Sequence, residues 1–192
     1  MPELLPLFVK LSGRAVLLVG GGRVAAGKLQ QLLAAGADVR VVAPEISADI
    51  AAVIPRLALF HRPFEASDLE GVWLVVAAAT PEVNRAVAEA ADERRVFVNA
   101  VDDPPNASAY LSGVVRRDGV TIAISTSGAA PALTALLREG LDALLPRELA
   151  KWMDTARAER TRWRRDTVPM EARKPRLLRA LNDLCGPEDS SR

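Results

Sequence analysis

Ala15-Val16-Leu17-Leu18-Val19-Gly20-Gly21-Gly22-Arg23-Val24-Ala25 is the stretch that decides the fold. Its first five residues form a continuous apolar run, the pattern of a strand buried on both faces. The glycines then fit G-x-G-x-x-A, with Gly20, Gly22 and Ala25 between that strand and a helix predicted over 23–35. Gly36 stops the helix, whose Val24, Leu29, Leu32 and Leu33 share one side. Gly20 makes the tight turn, Gly22 lets a pyrophosphate approach the backbone, and Ala25 lets the helix pack closely on the strand. Gly21, Arg23 and Val24 complete the loop, whose N–H groups and helix dipole favour a phosphate. The plainer reading is a tight turn without a ligand.

Working outward, further strands are predicted at 39–43, 57–61, 72–79 and 96–100. A helix over 81–94 has Thr80 as N-cap and Pro81 at its first position. Strands that alternate with helices and lack a polar face mean a parallel sheet covered on both sides. The fold class is therefore α/β, a Rossmann-type doubly wound parallel sheet over 1–112. After about residue 108 the pattern changes to strands at 109–115 and 120–126, joined by the turn Arg116-Arg117-Asp118-Gly119, and a helix over 131–144. Residues 113–146 are thus a small α+β domain, too small for its own core and expected to form a homodimer. Helices over 148–165 and 171–184 make a C-terminal helical domain, 147–192.

An acid that would hold an adenosine ribose is expected at the end of the second strand. That place reads Val42-Ala43-Pro44-Glu45, so Glu45 comes two residues late. No arginine cluster marks a 2′-phosphate, and the lean is to NAD over NADP. Gly71 and Ala77-Ala78-Ala79-Thr80 read either as further cofactor surface or as tight helix–sheet packing.

Composition bounds the class. With 192 residues, 49% hydrophobic and 26% charged, the chain is neither disordered nor a disulfide miniprotein. A net charge of +1 predicts no nucleic-acid binder, although 147–192 hold 12 Lys+Arg against 8 Asp+Glu. One cysteine, Cys185, excludes an intrachain disulfide and suits the cytoplasm. The apolar run at 72–79 is too short for a bilayer, and MPELLPLFV lacks the basic start of a signal peptide.

Several segments together resemble one family: Leu5-Pro6-Leu7-Phe8, the glycine turn with Lys28, Val42-Ala43-Pro44, Val98-Asn99-Ala100-Val101-Asp102, and Ser125-Thr126-Ser127-Gly128-Ala129-Ala130-Pro131. The chain is similar over residues 4–147 to the precorrin-2 dehydrogenase family, also found as the N-terminal region of siroheme synthase. The resemblance implies NAD-dependent oxidation of precorrin-2 to sirohydrochlorin, and in some members insertion of iron or cobalt. It places the catalytic carboxylate on Asp102, the cofactor loop on Gly20 to Val24, and a further cofactor contact on Pro44 and Glu45. A serine phosphorylated in some members falls on Thr126, a departure from the family.

A carboxylate just beyond a strand end suits a general base. Asp102 or Asp103 also suits a turn cap before Pro104-Pro105. The polyanionic tetrapyrrole calls for arginine. Arg157, Arg160 and Arg164 fall on one helical face, and Arg116 and Arg117 lie at the hairpin, where a solvated surface is the plainer reading. His61 is the one histidine, and no residue grouping has metal-ligand spacing, so no metal site is assigned. A rival function is a non-catalytic dinucleotide-sensing module whose Arg162–Arg165 stretch binds nucleic acid. Salt-sensitive duplex binding would favour that rival.

Overall fold

The computed structural model describes residues 3–53 and 58–184. The opening run is β1 (Ala15–Val19), followed by α1 (Arg23–Ala34), β2 (Asp38–Val42), the short α2 (Ala48–Ala51) and β3 (Ala58–Phe60). Then come β4 (Leu74–Ala77), α3 (Pro81–Glu93) and β5 (Phe97–Ala100). All five strands are parallel in the order β3-β2-β1-β4-β5, the predicted doubly wound sheet. The chain fills one side of β1, then returns to the other, so the switch point lies between β1 and β4. Register sets Phe60, Val42, Val19, Ala77 and Ala100 in one row across the sheet. The loops that follow these residues therefore emerge side by side.

Alternation along β1 shows why the strand has no polar face. Val16 and Leu18 pack with Ala25, Leu29 and Leu32 of α1, whereas Leu17 and Val19 pack with Val87 and Ala91 of α3 and with Leu69. Each side is sealed by a helix, and cutting any of these leucines to alanine would cost about 2–5 kcal/mol.

Strand ends differ from the sequence-based limits for local reasons. The strand expected at 72–79 is β4, four residues long. Ahead of it the Val72 amide turns back to the Leu69 carbonyl (3.2 Å), and beyond it the Ala79 amide is taken by the Asn84 side chain (3.0 Å). The strand expected at 109–115 is displaced to β6 (Gly113–Arg117). Residues 108 and 109 are instead docked on β5: both amides donate to the Val98 carbonyl (2.9 Å), and Asn99 Nδ2 donates to the Ala109 carbonyl (2.9 Å). β6 pairs antiparallel with β7 (Val120–Ile124), and the turn is only Asp118-Gly119, both at positive φ (49° and 83°). That two-residue geometry matches strand twist and puts Arg116 and Arg117 inside β6. Helices α4 (Pro131–Leu144), α5 (Leu149–Arg165) and α6 (Met170–Leu184) follow, with Pro175 inside α6.

The chain forms two compact units. One holds the sheet up to Leu111 together with Ser125–Pro131; the other holds Ser112–Ile124 and everything from Ala132 onward. In the second unit Arg117 donates to the carbonyls of Asp142 (2.8 Å) and Leu145 (3.1 Å) and to Asp142 Oδ1 (2.6 Å), tying β6 to the end of α4. Among the described residues no helix is long and apolar enough to cross a membrane. Cys185 and part of the strand expected at 57–61 lie outside the described residues.

The link from β3 to β4 is held by charge. Arg62 Nη1 and Nη2 donate to the two oxygens of Asp68, whose Oδ2 also accepts the Glu65 amide (2.9 Å). The Arg62 hydrogen bonds hold the Asp68 carboxyl below the usual carboxylate range. A group depressed in this way stabilises the fold above its unfolded pKa and loses that contribution as pH falls through the folded value. Asp68→Asn should therefore be less stable than wild type in urea melts at pH 7. The two midpoints should converge in acid; a gap that persists or widens there would contradict the assignment.

Candidate active site

The glycine turn sits where the switch point opens. Gly20 has φ of +123°, its amide donates to the Val42 carbonyl (2.9 Å), and a Cβ there would run into the carbonyl oxygen of Ala78. Gly21, a free position in the sequence pattern, is equally constrained: a Cβ would overlap the Glu45 carbonyl. Its own carbonyl accepts the Ser47 amide (2.8 Å), fastening the loop after β2 to the turn. Gly22 is the opposite case. It is the N-cap of α1, and a Cβ there would meet nothing within 4 Å. No side chain caps α1 and no acid stands in its first turn, so its leading N–H groups and positive dipole end are not offset by a side chain. No side chain caps α3 either, but Glu82 stands in its first turn. The Glu82 carboxylate accepts from its own amide and from the Thr80 hydroxyl, which hold its pKa below the usual range. The first turn of α1, which has no acid, is therefore the more favourable of the two for an anion, and the residues present fit a dinucleotide pyrophosphate.

Two strands away, Asp102 follows β5. The Val101 amide donates to the Ala77 carbonyl (2.9 Å), which continues the sheet one residue past the strand, and Asp102 then turns into the left-handed region at φ 56°. Such a conformation is uncommon outside glycine and is best tolerated by Asp and Asn. Turn capping falls to the neighbour: Asp103 Oδ2 accepts Asn106 Nδ2 (2.8 Å). Among the described residues no hydrogen bond occupies the Asp102 carboxylate, and it is exposed. A cleft of about 410 Å³ runs between the β4–α3 and β5 ends, lined by Ala79, Pro81, Asn84, Arg85, Asp102 and Asp103. The Ser125–Pro131 segment leans on the same corner, where a Cβ on Gly128 would press on Pro104 Cγ (2.9 Å). Thr126 Oγ1 accepts the Ala130 amide there (3.2 Å).

Ala25 is fully buried against the sheet, whereas Arg23, Val24, Pro44, Glu45 and Thr80 are exposed around the glycine turn and the strand ends. His61 is exposed in the turn after β3. Arg116, Arg157, Arg160 and Arg164 are exposed on the second unit, Arg157 paired with Asp154 (3.3 Å), while Arg117 is spent on the end of α4. Asn84 was missed. It is 3% exposed on an α3 face otherwise made of Val87, Ala88 and Ala91. An amide in an apolar stripe is the signal that identifies such a latch.

A parallel sheet with this glycine turn at its switch point defines a dinucleotide-binding α/β protein. Residues 7–113 match the family described as "Putative NAD(P)-binding", and residues 117–144 match "Sirohaem biosynthesis protein central". Siroheme synthase 2 of Aeromonas hydrophila is 45% identical over 148 residues, which are 77% of this chain and 32% of that protein. Siroheme synthase of Photobacterium profundum is 39% identical over 175 residues, 90% of this chain and 37% of that protein. The solved structure of SirC, a precorrin-2 dehydrogenase, aligns with a TM-score of 0.71 at 26% identity, covering 92% of this chain and 88% of that one. The chain belongs to the NAD(P)-binding family of the precorrin-2 dehydrogenases and siroheme synthases. It spans about a third of the length of the siroheme synthases it matches.

Gly22→Ala separates ligand space from fold. Its φ of −85° suits any residue, so thermal stability should stay near wild type. NAD+ affinity, measured by calorimetry, should fall at least about tenfold, since the new methyl enters the pyrophosphate's approach. Unchanged affinity would remove the glycine turn as the binding site.

Proposed function

We propose that this chain oxidises precorrin-2 to sirohydrochlorin with NAD+, on the way to siroheme or cobalamin. The observation that carries this reading is the exposed Asp102 carboxylate beyond β5, beside the strand ends that hold the glycine turn. The likeness to SirC, a precorrin-2 dehydrogenase, and to the siroheme synthases supports the substrate. When bound, NAD+ supplies the hydride acceptor. The chain's own residues position the partners and take the proton. Gly20, Gly21, Gly22, Arg23 and Val24 hold the pyrophosphate with Ala25 packing α1 on the sheet behind them, Pro44 and Glu45 hold the ribose, and Thr80 forms further cofactor surface. Asp102 accepts the proton that precorrin-2 loses as the hydride leaves, which balances the two-electron oxidation. Arg116, Arg157, Arg160 and Arg164 meet the carboxylates of the substrate, a task that bidentate guanidinium groups suit.

Among the described residues no three His, Cys, Asp or Glu side chains gather, so we assign no residue to metal insertion. The cytoplasm is the proposed place of action. Residues 113–146 serve as the dimerisation domain within a homodimer, with 1–112 as cofactor domain and 147–192 as helical domain. Support comes from α4, which has no buried residue and exposes Leu133, Leu136, Leu137 and Leu144 by 43–78%. Light scattering at micromolar concentration should give twice the monomer mass; a value near 20.6 kDa would contradict the dimer.

The activity is tested by anaerobic incubation with precorrin-2 and NAD+. Sirohydrochlorin and NADH should appear in equal amounts, and no NAD+-dependent conversion would remove the proposal. Asp102→Asn should lower turnover at least about 100-fold with NAD+ affinity kept, the low end for losing a general base. Near-normal turnover in that variant would make Asp102 a turn residue only.

A further inference from the structure

Asn84 lies on the buried face of α3 with Val87, Ala88 and Ala91, and both its backbone and its side chain are held. Its backbone amide donates to the Thr80 carbonyl (2.9 Å), and its side chain takes the Ala79 amide (3.0 Å). A backbone amide can only donate, so the atom facing Ala79 is Oδ1 and the other, Nδ2, is a donor. That donor makes no hydrogen bond among the described residues. It is not sealed in either: the buried polar atoms without partners are Ser47 Oγ, Asn99 Oδ1 and Trp152 Nε1, and Asn84 Nδ2 is not one of them. Asn84 lines the cleft at the ends of β4 and β5, so its free N–H group opens there, in the same cleft as Asp102.

The charge of the cleft narrows what this donor can hold. The lining includes the carboxylates of Asp102 and Asp103 against the guanidinium of Arg85, and among the described residues none of the three is in an ion pair. A carboxylate guest would meet net like charge, whereas a neutral carbonyl on a cationic ring suits the place. The oxidised nicotinamide ring, positively charged and bearing a carboxamide, is such a group. Topology leads it there. The strand order runs β2-β1-β4-β5, so with the pyrophosphate at α1 and the adenosine side over β2, the rest of a dinucleotide extends toward β4 and β5. We propose that Asn84 Nδ2 donates to the carboxamide oxygen of NAD+ and so sets the orientation of the ring in the Asp102 cleft. The Ala79 bond fixes the donor before the cofactor arrives, so little freedom is lost on binding. The inference rests on the dinucleotide reading of the glycine turn and not on the identity of the substrate.

Binding of NAD+ and of ADP-ribose, which lacks the nicotinamide, separates this role from that of a structural latch. In Asn84→Ala, calorimetry should show NAD+ affinity lowered about fivefold, the worth of one neutral hydrogen bond, with ADP-ribose affinity within about twofold of wild type. Loss of the latch alone would loosen Ala79 next to the Ala78–Gly20 contact and weaken both ligands alike. An equal loss for the two, or no loss for NAD+, would overturn the proposal. A second arm uses the wild-type chain and needs no variant to fold. The NMR signals of the Asn84 side-chain amide should shift on titration with NAD+ and stay in place with ADP-ribose; signals that move equally with both, or with neither, would overturn it. NAD+ that fails to bind would overturn this inference together with the glycine-turn site. NAD+ binding without oxidation of precorrin-2 would remove the proposed function alone, and the two ligands would still decide the role of Asn84.

Discussion

Backbone meets backbone at the switch point, and the rest of the site depends on that contact. Gly20 lies against the Ala78 carbonyl and Gly21 against the Glu45 carbonyl, closer than any side chain allows. These two contacts bring the loops after β1, β2 and β4 into one surface. Hydrogen bonds from Gly20 to Val42, from Ala78 to Val19 and from Ser47 to Gly21 then hold them there. The consequence is a helix end at the switch point that no side chain caps. A Cβ on Gly22 would meet nothing within 4 Å and the first turn of α1 has no acid, whereas Glu82 stands in the first turn of α3. The acid in the first turn of α3 makes that end the less favourable of the two for an anion.

At the other side of the same surface the β5 corner is braced without using Asp102. Asn99 and Ser108 dock the following segment on β5, Asp103 and Asn106 cap the turn, and Tyr110 reaches the Pro104 carbonyl (3.3 Å). The scaffold is therefore satisfied by neighbours, and Asp102 is left exposed at a strained backbone position. A carboxylate kept out of structural duties is suited to chemistry. Strain at such a residue persists only where surrounding bonds over-determine it, as they do here.

Much of this was legible in the residues. Period and glycine spacing carried the parallel doubly wound sheet, the turn after β1 and α1, because apolar runs and turn glycines report local constraints, whereas the strand order came only with the structure. The limits of β4 and β6 were not legible. Asn84 and Asn99 redirect the chain by side-chain bonds across loops, and hydrophobic pattern is silent on those partners. The same limit applies to charge. Arg117 looked like a surface cation beside Arg116, yet it faces Asp142, 25 residues onward. Gly21 shows the converse: a position the motif leaves free is constrained by tertiary contact.

On this geometry the glycine turn and the first turn of α1 receive a dinucleotide while the β5 corner stays in place for chemistry. Amide NMR of the full chain titrated with NAD+ tests it most directly. The amides of Gly22, Arg23 and Val24 should move most, with Gly20 and Ala78 following. Binding that leaves these amides unmoved, or shifts those around the N-terminus of α3 instead, would contradict it.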